Sequence, residues 1–369
     1  MCETSPTSSR PKSSHLIPHP TTSPPTPQKM SSPQLHQWIL DTRPWWPEAT
    51  QTKHLETHAS RALSLLPPAT RTAILRYYHI LDAKMALASA LLKHYLAART
   101  DPSLPWHSTP SHLTRDPRTG KPLFTHPTHP LAFNITHQAG VVALLAVAHP
   151  PSLTVQVGID LVSPTERRAR DRALVASSSW PTFVDMHADV FSPREAAYLK
   201  HAVLAAVPGM VAPAAGGPDA VVDAKLRAFY ALWALREAYV KLTGEALMAE
   251  WLGELEFRGF RPAAPTAGFA VPAREEGAWD GRVEGAGRER YGAQVVRHPE
   301  VWFRGGRVEG VNMELRAMGE DFMICTAVRT PGREEVGMGW RLGPYRVLDL
   351  DEVLEFAEGR AEGGTWEGE

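Results

Sequence analysis

The sequence predicts an α+β fold, and three observations carry that prediction. Strand-like and helix-like segments alternate irregularly along the 369 residues, without the steady β–α–β–α order of a parallel sheet. The late strand-like segments lie close to one another in the chain. No G-x-G-x-x-G follows a strand and no Walker A pattern is present, so neither common nucleotide-binding α/β architecture is expected.

The elements follow in order. Residues 1–33 are Ser, Thr, Pro and His with almost no aliphatics, so this tail is expected to stay disordered. The folded part opens at QWILDTRPWW, a strand followed by a proline-marked turn. Residues 70–99 form the longest helical pattern, with Ile74, Tyr77, Leu81, Met85, Leu91, Leu92 and Tyr95 at helical spacing. Residues 100–130 are loop-rich and carry RTGKP, a turn presenting Lys121 beside Pro122. LAFNITH (131–137) alternates like a strand. AGVVALLAVAH (139–149) is too uniformly apolar for its pattern to choose between helix and strand. LTVQVGIDLV (153–162) reads as a buried strand that ends on an acid, Asp160.

A helix is expected around 165–176, and FSPREAAYLK (191–200) begins another. There Ser192 suits the N-cap, Pro193 the first helical position, and Glu195 closes a capping box. Residues 223–243 form a strong helix closed by Gly244. Residues 205–220 (Ala, Gly, Pro) and 261–290 (Gly, Arg, Glu) read as insertions. DFMICTAVR (321–329) is a strand, and the acidic C-terminus is expected to be partly ordered.

Bulk properties exclude several classes. The hydrophobic share of 43% is enough for a sizeable core, and a net charge of −1 gives no bulk case for nucleic-acid binding. The two cysteines, Cys2 and Cys325, build neither a disulfide framework nor a cysteine zinc site, which fits a reducing compartment. No secretory h-region is visible, and no run approaches the ~18 apolar residues of a membrane span. The expectation is a soluble, cytoplasmic protein with no nucleic-acid or membrane partner.

Two acids stand out. Asp160 sits among apolar residues, where a charge is costly unless paired. Leu226, Tyr230, Trp233, Glu237 and Val240 share one helix face, so Glu237 joins an otherwise apolar stripe, with Lys241 one turn on. An i,i+4 salt bridge accounts for Glu237 and Lys241, and a turn role accounts for Asp160. The other reading is a hard cation shared by the two acids. Two carboxylates without a His or Cys cluster suit Mg²⁺ better than zinc. Sequence spacing does not show that they meet. His137, in NITHQ, is either a phosphate donor or a structural histidine, and Lys121 is otherwise a solvated turn lysine.

The order of DAK (82–84), GKP (120–122), FNITH (133–137), VGID (157–160), FSPRE (191–195) and WALREAYVKLTG (233–244) is more specific than any one of them. It resembles the 4′-phosphopantetheinyl transferases of the large, surfactin-synthetase-activating type, most nearly the broad-range eukaryotic, fungal-like members. The resemblance implies two pseudo-symmetric α/β halves, each a small antiparallel sheet packed with a long helix. It places them at 34–152 and 153–330, with 331–369 as an extension. It implies coenzyme A as substrate, Mg²⁺ as cofactor, and transfer of the phosphopantetheine arm to a serine of an apo acyl or peptidyl carrier protein. Adenosine 3′,5′-bisphosphate is the other product, and the chain is expected to be a monomer. Fatty-acid, polyketide, non-ribosomal peptide and aminoadipate-reducing carriers, the last in lysine biosynthesis, all use this modification.

Matched position by position, the resemblance makes Asp160 and Glu237 the metal ligands. Glu237 is also the candidate base, with a metal-activated water as its rival. Lys241 and His137 become phosphate contacts, Lys121 and Pro122 line the adenine side, and Lys84 falls near a basic position that contacts the 3′-phosphate. Two positions depart from the bacterial pattern: Val162 replaces a second acid, and Arg236 replaces the usual lysine before Glu237. The missing acid leaves open a non-catalytic coenzyme A or carrier binder on the same fold. A Mg²⁺-dependent phosphodiester hydrolase using the two acids is also open.

Overall fold

Two long helices, each lying on its own sheet, organise the chain. The computed structural model describes residues 33–149, 152–204, 217–245, 251–266, 294–361 and 366. Most of the expected tail and of both insertions lies outside these residues. The first part runs β1 (Gln34–Asp41), three short helices α1 (Leu55–His58), α2 (Ser60–Ser64) and α3 (Pro68–Leu75), then the long α4 (Ile80–Thr100). A short α5 (Thr109–His112) leads into the hairpin β2 (Leu113–Arg115) and β3 (Pro122–Phe124), followed by β4 (Leu131–Gln138) and β5 (Val141–Ala148).

The second part opens with β6 (Gln156–Val162), then α6 (Arg168–Ser178), α7 (Trp180–Asp185), α8 (Pro193–His201) and the long α9 (Gly217–Thr243). It continues through β7 (Leu255–Arg258), β8 (Val295–Arg297), β9 (Glu300–Phe303), β10 (Gly306–Arg307), β11 (Val311–Met318) and β12 (Phe322–Arg329). The chain closes with α10 (Glu334–Met338), β13 (Arg346–Val347) and α11 (Leu350–Ala361).

The expected α+β repeat is visible in the pairing. One sheet has the order β13-β1-β5-β4-β3-β2, another β6-β12-β11-β8, and a small third sheet is β10-β9-β7. In each half an opening strand pairs antiparallel with the second strand of a later hairpin: β1 with β5, and β6 with β12. The long helix lies between them in sequence. It buries one sheet face: Leu87, Leu91 and Tyr95 of α4 cluster with Trp38, Leu40 and Leu144, while Leu235, Ala238 and Leu242 of α9 cluster with Met313, Cys325 and Ala327.

The opposite faces of the two sheets meet in a third apolar cluster. Ile39, Val141, Ala143 and Leu145 lie there with Val157, Ile159, Leu161 and Ile324. This explains β5. Alternate residues Val142, Leu144 and Ala146 face α4 and the others face the second sheet, so neither face wants polar residues.

Two expectations change. The 70–99 helix is two helices, because residues 76–79 break it and His79 is extended at the start of α4 (φ −95°, ψ 130°). Tyr77 and Leu81, expected on the buried face, are exposed. Tyr-Tyr-His has weak helix propensity, and no tertiary contact of Tyr78 compensates, since it is 91% exposed. The C-terminal extension, expected to be partly ordered, packs on both halves over its described residues: Asn312 of β11 donates to the carbonyls of Gly337 and Trp340. Strand β13 pairs parallel with β1, and Val353, Leu354 and Ala357 of α11 fill the core beneath α4. Among the described residues no helix is long and apolar enough to cross a membrane.

Candidate active site

Strand β6 and helix α9 bring the two acids together. Gly158, Asp160 and Val162 share the β6 face that looks toward α9. Gly158 makes the approach possible: a Cβ there would lie 2.0 Å from the Ala238 carbonyl oxygen and 2.5 Å from the Leu242 nitrogen. Helix backbone therefore lies directly on strand backbone, and the α9 turn carrying Glu237 and Lys241 arrives beside Asp160.

Asp160 is 6% exposed. The Lys241 ammonium donates to its Oδ1 at 2.7 Å and to Thr136 Oγ1 at 3.3 Å. The Thr136 hydroxyl donates to the same carboxylate oxygen at 3.4 Å. Burial raises the Asp160 carboxyl, opposed by Lys241, by Thr136 and by the Leu161 amide. Glu237 is half-buried, and its carboxyl is pushed up to about 7, first by burial and then by the Asp160 charge, against the pull of Lys241. The Lys241 ammonium thus bonds to Asp160 across the domain, where a purely local reading pairs it with Glu237. Two neighbouring carboxylates, one pushed up by burial and by the charge of the other, form a donor set that suits a hard cation.

The other predicted residues surround this centre in different ways. His137 is exposed on β4; desolvation and Lys241 hold its imidazole below the usual histidine range, against Asp82. Lys121 donates to the carbonyls of Val157 (2.7 Å) and Lys241 (2.9 Å), and burial lowers its ammonium to about 8. It therefore ties the β2–β3 hairpin to the start of β6 and to the carbonyl end of α9, where a cation is favoured. Pro122 follows as the first residue of β3. Lys84 is buried, and its ammonium donates to the carbonyls of Trp45 and Trp46, so it clamps that turn.

Glu195 does close the capping box with Ser192, and it does more. It pairs with the Arg236 guanidinium and accepts from the Phe257 amide at 2.7 Å. Arg236 is fully buried and also donates to the carbonyls of Leu252 (2.6 Å) and Leu255 (2.9 Å). The motif arginine beside Glu237 is thus a fork that joins α8, α9 and β7. Val162 lies on the Asp160 face, buried in the apolar cluster under α9. Sequence reasoning missed Thr136 as a partner of the acid and Arg236 as a clamp. Thr136 lies in the FNITH segment, but its neighbour Asp160 is on a strand of the other sheet.

Two family models match: 4′-phosphopantetheinyl transferase, N-terminal, over residues 50–149, and the 4′-phosphopantetheinyl transferase superfamily over 156–291. A protein named 4′-phosphopantetheinyl transferase 1 from Fusarium mangiferae is 42% identical over 89% of this chain and 97% of its own length. The chain belongs to the 4′-phosphopantetheinyl transferase family. NpgA of Emericella nidulans, also named a 4′-phosphopantetheinyl transferase, is 32% identical over 88% of this chain and 94% of its own. A Schizosaccharomyces pombe relative, named L-aminoadipate-semialdehyde dehydrogenase-phosphopantetheinyl transferase, is 24% identical over 58% of this chain and 70% of its own. The two family models part between β5 and β6, where this transferase passes from one sheet to the other.

Proposed function

We propose that this chain transfers the 4′-phosphopantetheine arm of coenzyme A to the serine hydroxyl of an apo acyl or peptidyl carrier protein. Family membership supports the reaction, and one observation supports the site: Asp160, Glu237 and Lys241, 77 and 81 residues apart from the first acid in sequence, converge between β6 and α9.

The serine oxygen attacks the phosphorus that bears the pantetheine arm. A new P–O bond to serine forms, and the P–O bond to the bridging oxygen breaks. Adenosine 3′,5′-bisphosphate leaves with that oxygen and the electron pair. Glu237, on the α9 face beside Asp160, takes the serine proton. Lys241 sets a positive charge beside the anionic pyrophosphate, and His137, exposed and biased to neutrality, donates a hydrogen bond there. Lys121 and Pro122 place their hairpin on the adenine side; the Lys121 ammonium, spanning two carbonyls, acts by position. Lys84 supports the rim by holding the Trp45–Trp46 turn. Asp160 and Glu237 fit Mg²⁺, since both are hard oxygen donors and Asp160 already holds a cation through Oδ1. Bound there, Mg²⁺ supplies charge neutralisation at the phosphate oxygens.

Incubating the protein with coenzyme A, Mg²⁺ and an apo carrier should add the mass of one phosphopantetheine arm to the carrier. Asp160→Asn should cut the rate by about 10²–10⁴-fold while keeping the parent's melting transition. Absence of any mass gain across a panel of carriers would overturn the reading.

A further inference from the structure

Another cluster of metal-ligating side chains stands at the C-terminal end of α4, the end away from Lys84, and on the loop that follows the hairpin of Lys121. Asp101 caps α4 and is 5% exposed. Its Oδ1 accepts from the Ser103 amide (2.8 Å) and hydroxyl (2.7 Å). Its Oδ2 instead faces two imidazoles from the β3–β4 loop: His126 Nε2 at 3.3 Å and His129 Nδ1 at 3.8 Å. The two histidines approach each other at 3.2 Å between Nδ1 atoms. One ligand atom from each of the three residues lies within 4.8 Å of the others.

We propose that Asp101, His126 and His129 form a site for a first-row divalent transition ion of the zinc class, which staples the end of α4 to the β3–β4 loop. Zinc–nitrogen distances of ~2.0–2.1 Å in a tetrahedron put neighbouring ligand atoms ~3.3 Å apart, within the 4.8 Å that spans one ligand atom from each of the three residues. The donor set is two imidazoles and one carboxylate, which selects zinc-like ions over Mg²⁺. The support around the cluster fits as well. Phe124 stacks on His126, and the His112 ring stands 4.9 Å away with its Nδ1 against the Thr125 carbonyl (2.8 Å).

The consequence is mechanical. The β2–β3 hairpin holds Lys121 at its turn, and the loop that follows it carries His126 and His129. An ion at the loop anchors the hairpin at one end while Lys121 anchors it to α9 at the other.

The test uses the full chain, stripped with chelator and kept in excess Mg²⁺ so that an oxygen-ligand site stays filled. Cobalt(II) is titrated alone and read by visible d–d absorption. One equivalent should bind with the strong absorption of a low-coordinate nitrogen–oxygen site, zinc should displace it, and zinc should raise the melting temperature. His129→Gln, at a ring 41% exposed, should weaken binding at least 10-fold without unfolding the chain. The pair His126→Gln/His129→Gln should abolish the absorption and the thermal shift. Absence of absorption at one equivalent, or the same spectrum and affinity in the variants, would overturn the site.

Discussion

Glu237 carries the pH-sensitive energetics of the site. Its folded value, about 7, lies above the ordinary 4.5, so folding favours the protonated form. The stability this contributes is complete below about 4.5 and is lost as pH rises through about 7. In chelated protein the urea midpoint should therefore fall between pH 5 and pH 8, and Glu237→Gln should flatten that fall. Equal pH dependence in parent and variant would remove burial beside Asp160 as the cause. The neighbouring residue behaves differently although it lies in the same motif. Arg236→Met should cost about 3–5 kcal/mol, because it leaves Glu195 charged and unpaired in the core. Adding Glu195→Leu should recover part of that loss, which denaturant unfolding of the single and double variants will measure.

At the scale of elements, the decisive contact is α9 on β6. Gly158 is the residue that allows it, and VGID is a packing motif as much as a chemical one. Gly158→Ala should destabilise the protein by at least about 1–3 kcal/mol, since the clashing atoms are backbone and cannot swing away. It should also slow transfer, because Glu237 and Lys241 move with the helix. A variant with parental stability and rate would show that the helix has room. This element pair was half legible in advance. The apolar stripe placed Glu237 and the C′ glycine closed the helix, but neither fixes a distance to Asp160. The break at 76–79 was not legible, because the apolar spacing continues through it while the backbone does not.

For the whole molecule, the C-terminus completes the N-terminal half. Strand β13 adds to the edge of β1, and α11 covers the core beneath α4. Arg61 of α2 bridges to Asp351 and Glu358 of α11, which orients the helix. Removing residues 346–369 takes away Val353 and Leu354, whose burial is worth about 3–6 kcal/mol together, and uncovers the core they pack on. The truncated chain should melt earlier and aggregate. An unchanged melting temperature would show that α11 is dispensable. An acidic segment with Gly on both sides reads as solvated, and only its register against α4 reveals Val353, Leu354 and Ala357 as core.

Local chemistry in the residues was enough for most element types, the capping box at Ser192, the buried strand that carries Asp160 and the ordered motifs that mark the family. These depend on periodicity, caps and residue type, which the chain carries within a few residues. Which groups meet was decided by the tertiary structure. Lys241 bonds to Asp160 across 81 residues, Thr136 reaches it from another sheet, and Arg236 turns inward to Glu195. Such pairings follow from how two sheets and two helices stack, and sequence separation holds no record of that distance.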